Sequence, residues 1–385
     1  MKQMRLSIFL YLPLAISILS LHESGIISMF GYIALYFLVI FAILLQFYSF
    51  KNTKFLYRCY GISYLMIFLY ALSNIISDPN LDNSLGLVQR LLQLISVVSI
   101  LHIGYVFGSG LDGDYEIVVY RKIFLLTIFF VSAIFFLISI FGSDFKNKNP
   151  YGAWLAIAGL ISLGNFNKKK SIGVFAIILL LMLVNSGSRT ALISFSGGLF
   201  VYYIWPYLCA RRNLYWAVLL SSFILSYLII NFTFTSLGQI WNLNLISQDL
   251  SGKNFNSGRD IIWPVAWELI VEKPWLGRGG GIQLSHLSDF DLSTHNFYLQ
   301  ILLQVGFVGL TFVVLFFLSL WQKFWEARYS SYIRSAASIF FAMLLSQNFE
   351  VFILQGNIAV SWPMWMFVGL AFGSSANSKY FIATR

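Results

Sequence analysis

The chain has 385 residues, 58% of them hydrophobic and only 10% charged, where soluble domains carry roughly a quarter charged residues. Apolar runs of about 17 to 25 residues recur from end to end, which excludes a soluble domain and predicts an all-α polytopic membrane protein; an outer-membrane barrel would show short alternating segments instead. The net charge of +10 lies in short clusters between apolar runs, as orientation signals do, so nucleic acid is not expected as a partner and membrane lipids are.

The pattern predicts about twelve transmembrane helices, over 6–21, 26–48, 57–77, 88–108, 123–141, 151–166, 171–186, 190–209, 214–234, 297–320, 335–354 and 358–377, within a single integral membrane domain spanning 1–385. The run 6–21 follows Lys2 and Arg5 as a leader would. No small-residue cleavage motif comes after it, so it is expected to remain as the first helix. Connections after the even-numbered spans hold Lys51, Lys54 and Arg58, then Arg121 and Lys122, then Lys168, Lys169 and Lys170, then Arg211 and Arg212, then Lys323, Arg328 and Arg334. With Lys2, Arg5, Lys379 and Arg385 these place most of the 25 basic residues on one face. The positive-inside rule makes that face, and both termini, cytoplasmic. Cys59 and Cys209 fall near it, where a structural disulfide is not expected.

The outer connections are short except for 235–296, between the ninth and tenth spans, expected to be a periplasmic loop subdomain carrying part of an active site. A connection of that length without a role is uncommon. Its centre reads as a helix: Ser257 and Asp260 have the spacing of a capping box, and Arg259, Trp263 and Trp267 recur on one face. Pro264 is awkward inside such a helix and suggests a start nearer Trp263; Pro274 ends it. The stretch 277–281, Gly-Arg-Gly-Gly-Gly, is a turn signal and lacks the strand-to-helix setting of a phosphate fingerprint.

Three clusters carry chemistry. Ser186-Gly-Ser-Arg189-Thr sits at an outer span end, where an arginine offers a planar fork of donors suited to phosphate; the bland alternative is a snorkelling side chain. Arg259 sits beside two tryptophans, whose faces suit sugar rings or cations, although an interfacial belt would look the same. His295, followed by Asn296 and Tyr298, stands at the mouth of the span 297–320; a neutral imidazole there can take a proton from a hydroxyl. Arg90 and Glu350 read at comparable outer depth and are expected to pair, with Arg90 as a third anion donor in the alternative. His286 with Asp289 or Asp291 fits no trusted ligand spacing, so no metal and no cofactor is expected. Gly306 and Gly309 read as close-packing positions.

Taken in order, Ser-Arg-Thr-Ala-Leu around Arg189, Gly-Arg-Asp-x-x-Trp…Lys-Pro-Trp-Leu-Gly-x-Gly over 258–279, and His-Asn-Phe-Tyr-Leu-Gln…Gly-Phe-Val-Gly-Leu over 295–310 resemble the O-antigen polymerase and O-antigen ligase superfamily of membrane glycosyltransferases. The resemblance covers 186–310; the first half of the chain agrees in hydropathy alone. It implies a GT-C-like helical fold in the bacterial inner membrane and a metal-independent, inverting transfer of a glycan from undecaprenyl diphosphate at the periplasmic face. The acceptor would be a second lipid-linked repeat unit in a polymerase, or the lipid A core in a ligase, with a chain-length regulator and a flippase as further partners. Arg189 and Arg259 would hold the diphosphate and His295 would be the base, with Arg90, Asn296, Tyr298, Trp263 and Trp267 in support. The wording of the motifs favours the polymerase. A transporter or lipid flippase is the reading from a different class; it would show helices broken near the bilayer midplane.

Overall fold

The computed structural model describes parts of 29–44, and 56–76, 84–109, 148–163, 180–184, 186–234, 258–288, 293–356 and 358–383. The predicted spans 6–21 and 123–141, most of 26–48 and 171–186, and the loop positions 235–257, with Ser257, lie outside the described residues, as do Asp289 and Asp291. Among the described residues the main elements are helices: α1 Tyr57–Ile76, α2 Ser84–Ser109, α3 Lys148–Leu163, α4 Arg189–Ala210, α5 Arg212–Phe234, α6 Arg259–Glu272, α7 Phe297–Glu326, α8 Ser331–Ser346 and α9 Ile358–Ala383. Of these, α1, α2, α4, α7 and the stretch Arg212–Asn231 of α5 are long and apolar enough to cross a membrane.

Small residues bring the helices together, as expected where lipid removes any hydrophobic drive between them. A side chain on Gly104 or Gly108 of α2 would collide with the carbonyl oxygens of Met366 or Leu370, and one on Gly369 or Gly373 of α9 with those of Leu101 or Tyr105. These two helices therefore touch backbone to backbone. On α3, a Cβ at Gly152 would stand 2.7 Å from the Cβ atoms of Ser188 and Ala191, so the first turns of α3 and α4 are pressed together.

The span 297–320 forms, but not as one straight helix. Gly306 takes φ 63 and ψ −165 and breaks α7. The broken ladder is completed by the segment after α6: Arg278 N and Gly279 N donate to Leu303 O and Gln304 O at 2.8 and 3.1 Å, and Phe307 N and Val308 N donate to Pro274 O and Trp275 O at 2.8 and 3.2 Å. A Cβ at Gly306 would run into the Trp275 carbonyl. Gly306 thus permits a close approach, by a loop rather than by a helix. A separate apolar core, including Ile262, Trp263, Ala266 and Ile270 of α6 with Ile282, Leu284, Leu299 and Leu303, glues α6 to the first half of α7.

The span predicted over 335–354 is corrected: α8 ends at Ser346, and 347–356 is irregular. Gln347, Asn348 and Glu350 interrupt the apolar run, and non-helical backbone at this depth is tolerated only when buried in protein. It is buried: Phe352, Ile353, Leu354 and Gln355 are each at most 2% exposed. The Gln347 side chain accepts from Phe352 N and Ile353 N, and Gln93 of α2 bonds both ways with Gly356.

The helix in the long connection is also corrected at its start. It begins at Arg259, not near Trp263, behind Gly258 at φ 82, a residue with no side chain to cap it. Pro264 is accommodated because the amide it lacks would have bonded back to the carbonyl of Asp260, an exposed residue.

Candidate functional site

The first turns of α3, α4, α6 and α7 converge on the loop that follows α8. Asn149 lies in the first turn of α3. Ser188 caps α4: its Oγ accepts from Ala191 N at 3.3 Å and donates to Asn149 Oδ1 at 3.0 Å. Arg189 is therefore fixed as the first residue of a helix whose cap is tied to its neighbour. It is half-buried.

Arg259 opens α6. Its Nη2 donates to Phe349 O at 3.0 Å, and its guanidinium stands over the Phe349 ring, 5.4 Å from the centroid. Asn296 caps α7, its Oδ1 accepting from Leu299 N at 3.0 Å and its Nδ2 donating to Asn348 O at 3.1 Å. Phe297 N donates to Gln347 O at 2.9 Å. Successive carbonyls at 347, 348 and 349 are thus taken by three different groups, and the loop is held from two helix starts.

His295 sits between these anchors with φ 45, the non-glycine residue in the left-handed region among those described. Such a conformation costs on the order of 1–3 kcal/mol and persists where the surroundings over-determine it. Here Trp263 Nε1 donates to Thr294 O at 2.8 Å, the Thr294 hydroxyl donates to Asn296 O, and Asn296 is buried. The imidazole is 31% exposed, and its Nδ1 lies 3.9 Å from Oε2 of Glu350, whose side chain is 7% exposed. Oε1 of Glu350 accepts from Asn149 Nδ2 at 2.6 Å. A polar chain therefore runs Ser188, Asn149, Glu350, His295.

Burial pushes the Arg259 guanidinium below its usual pKa, Glu350 pushes it back up, and the charge of Arg189 lowers it again. The two arginines are close enough to repel, and the buried Glu350 carboxylate offsets part of that charge. Helix starts add the same sign, since each N-terminus presents roughly half a positive charge. An incoming anion would relieve this repulsion, and the donors are those that suit phosphate oxygens.

Arg189, Arg259 and His295 are brought together by the fold; the other predicted residues are not part of this group. The pairing of Arg90 with Glu350 is corrected: Arg90 Nη1 donates to Gln93 Oε1 at 2.8 Å, while Glu350 faces Asn149 and His295. Trp263 is corrected as a sugar platform, because it is fully buried and props Thr294. Trp267 is 38% exposed. Tyr298 is buried, with its hydroxyl donating to Leu344 O, and Asn296 caps its helix, so both face the core. The His286 ring accepts from Gln283 N at 3.4 Å within the short turn Leu284–His286. Sequence reasoning missed Asn149 and Ser188. An Asn-Pro and a Ser-Arg at span starts were the available signals, both typical of helix caps.

These features define a multi-pass helical membrane protein with a cluster of two arginines and an imidazole at one end of its bundle. A family model described as O-antigen ligase matches residues 174–314. That segment, which takes in Arg189, Arg259 and His295, is similar to the O-antigen ligase family. No curated protein matches the chain. Asn149 and Glu350 lie outside the matched segment.

Proposed function

We propose that the chain is a glycosyltransferase that moves a glycan from undecaprenyl diphosphate to a hydroxyl of a second lipid-linked repeat unit, with inversion and without a metal. The observation that carries this is the convergence of Arg189, Arg259 and His295 around one loop, at the starts of helices. In the reaction the acceptor oxygen attacks the anomeric carbon while the bond from that carbon to the diphosphate oxygen breaks. The acceptor proton passes to His295, with Nε2 the nitrogen turned away from Glu350, and the diphosphate leaves with the electron pair. A diphosphate is already a good leaving group, so the protein's task is to stabilise developing charge and hold both reactants. Preorganised guanidinium and helix-start dipoles serve the first, and a shared crevice at the membrane surface serves the second.

A ligase that uses the lipid A core as acceptor is the second reading, favoured by the description of the matching family. The transporter reading gains one expected feature, the break in α7. However, the backbone groups freed at Gly306 are bonded by Pro274, Trp275, Arg278 and Gly279 of the same chain rather than turned towards a passing ion.

The deciding experiment supplies purified protein with a defined lipid-linked repeat, with and without a lipid A core acceptor. A ladder of products from the repeat alone supports the polymerase. A single glycan addition that requires the core supports the ligase. Transfer to neither acceptor, from protein shown to be folded, removes the glycosyltransferase reading.

A further inference from the structure

We infer that Glu350 is the positioning residue of His295, holding the imidazole by its Nδ1 side so that Nε2 is presented to the acceptor. This inference rests on the transfer proposed above and adds to it a partner from outside the segment that carries the family motifs.

The geometry that points there is specific. Glu350 is buried at one end of a loop whose preceding three carbonyls are all engaged, so its backbone has little freedom. Its two oxygens are divided: Oε1 is taken by Asn149, itself fixed by Ser188, which leaves Oε2 towards His295 Nδ1. At 3.9 Å the two are at ion-pair distance and just beyond a hydrogen bond. Catalytic contacts are often longer without substrate than with it. An imidazole that gives its Nδ1 proton to a carboxylate must carry its lone pair on Nε2, and this is how the partner of one nitrogen sets the role of the other.

A plainer job for Glu350 would be to neutralise Arg259 and Arg189, which also face this end of the loop from α6 and α4. The two roles separate in measurement. Removing the charge of a neutralising residue strengthens the hold on a diphosphate and changes donor KM. Removing the charge of a residue that positions a base lowers kcat and moves the pH dependence. Among the described residues, Glu350 of the loop after α8 stands nearest the imidazole, and Arg259 of α6 and Arg189 of α4 lie in the same cluster through Glu350; a carboxylate favours a protonated ring and an arginine opposes it.

The test uses the full chain in nanodiscs and compares wild type with Glu350→Gln, which is nearly the same shape and still accepts from Asn149. The first readout needs no transfer: ring signals of labelled histidines are titrated by NMR, with the His295 signal assigned by its loss in His295→Gln. In Glu350→Gln the His295 titration should move to lower pH, because a neighbouring carboxylate favours the protonated ring. The second readout is transfer: kcat should fall by about 10²-fold, the lower end of what a positioned base contributes. Donor KM should be unchanged, and the acid limb of the pH–rate profile should move with the NMR titration. Glu350→Asp, which keeps the charge on a shorter arm, should restore the titration towards wild type with partial recovery of rate, and it replaces the glutamine variant if that one fails to fold. An unmoved His295 titration, or a change confined to donor KM, overturns the inference. If wild type transfers no glycan yet the titration still moves, the transfer reading fails while the coupling of the pair stands.

Discussion

Arg259 carries two loads. It reaches across to Phe349 O and covers the Phe349 ring, so it fastens the loop that holds Glu350 as well as facing the crevice. Arginine to lysine keeps the charge at both positions but loses the planar fork and the stacking surface. Arg189→Lys and Arg259→Lys are both expected to lose most transfer activity. Arg259→Lys should also lower thermal stability, by about 1.5–3 kcal/mol for one hydrogen bond from a charged donor. Transfer assays with thermal denaturation in the same detergent check this; wild-type rates in either lysine variant, at normal expression, would take that arginine out of the clamp. At this scale the sequence was informative about residue type and uninformative about partners. Arg189, Arg259 and His295 stand out because ionisable groups at membrane borders are costly. Glu350 is visible for the same reason, but a continuous helix over 335–354 would set it level with Arg90, whereas the stretch after Ser346 is irregular and Arg90 is held by Gln93. Only the folded loop gives Glu350 its direction.

Among the elements, α7 and the segment after α6 are one unit. The Lys-Pro-Trp-Leu-Gly-x-Gly run closes the break at Gly306 with four backbone hydrogen bonds: two from Arg278 and Gly279 into α7, two from α7 back to Pro274 and Trp275. The same run hangs between α6, which begins with Arg259, and the start of α7, next to His295. Gly306→Ala would meet the Trp275 carbonyl and also the left-handed backbone at φ 63. It should destabilise the protein by about 1–3 kcal/mol from the backbone term alone and abolish transfer without touching a reacting group. Gly187→Ala is the matched control, with φ 63 but no atom within 4 Å of the added carbon. It should show the strain and keep more activity. If both variants melt alike and both transfer, the docked loop does not place the site. Helices α1, α2, α3, α4 and α5 lie within a few residues of the spans read from hydropathy, because apolar length is a local property. The break at Gly306 and the early end of α8 were not legible, since both depend on which distant backbone groups arrive to complete the hydrogen bonding.

The whole molecule has a chemical polarity along the bundle. Arg189, Arg259, His295 and Glu350 gather at one end, while the turn between α4 and α5 holds Arg211 and Arg212, and the connection from α7 to α8 holds Arg328, with Lys323 and Arg334 beside it. That far end binds itself together through its own arginines: Arg328 lies over Trp325 and Arg334 over Tyr202, with Arg334 Nε donating to Tyr202 O at 2.6 Å. The positive-inside rule supports our proposal that the arginine-rich turns face the cytoplasm and that the cluster of Arg189, Arg259 and His295 faces outwards. Exposed positions at each end of the bundle serve to test the orientation. Lys273, at the end of α6, and Arg212, at the start of α5, are both exposed. With Cys59 and Cys209 replaced, a cysteine at 273 should react with a membrane-impermeant thiol reagent added to intact cells, and a cysteine at 212 should react only after the membrane is opened. The reverse pattern would place the crevice on the cytoplasmic side. There a nucleotide-sugar donor would be available and an outward-facing lipid diphosphate would not, so the proposed donor class would fall with the orientation.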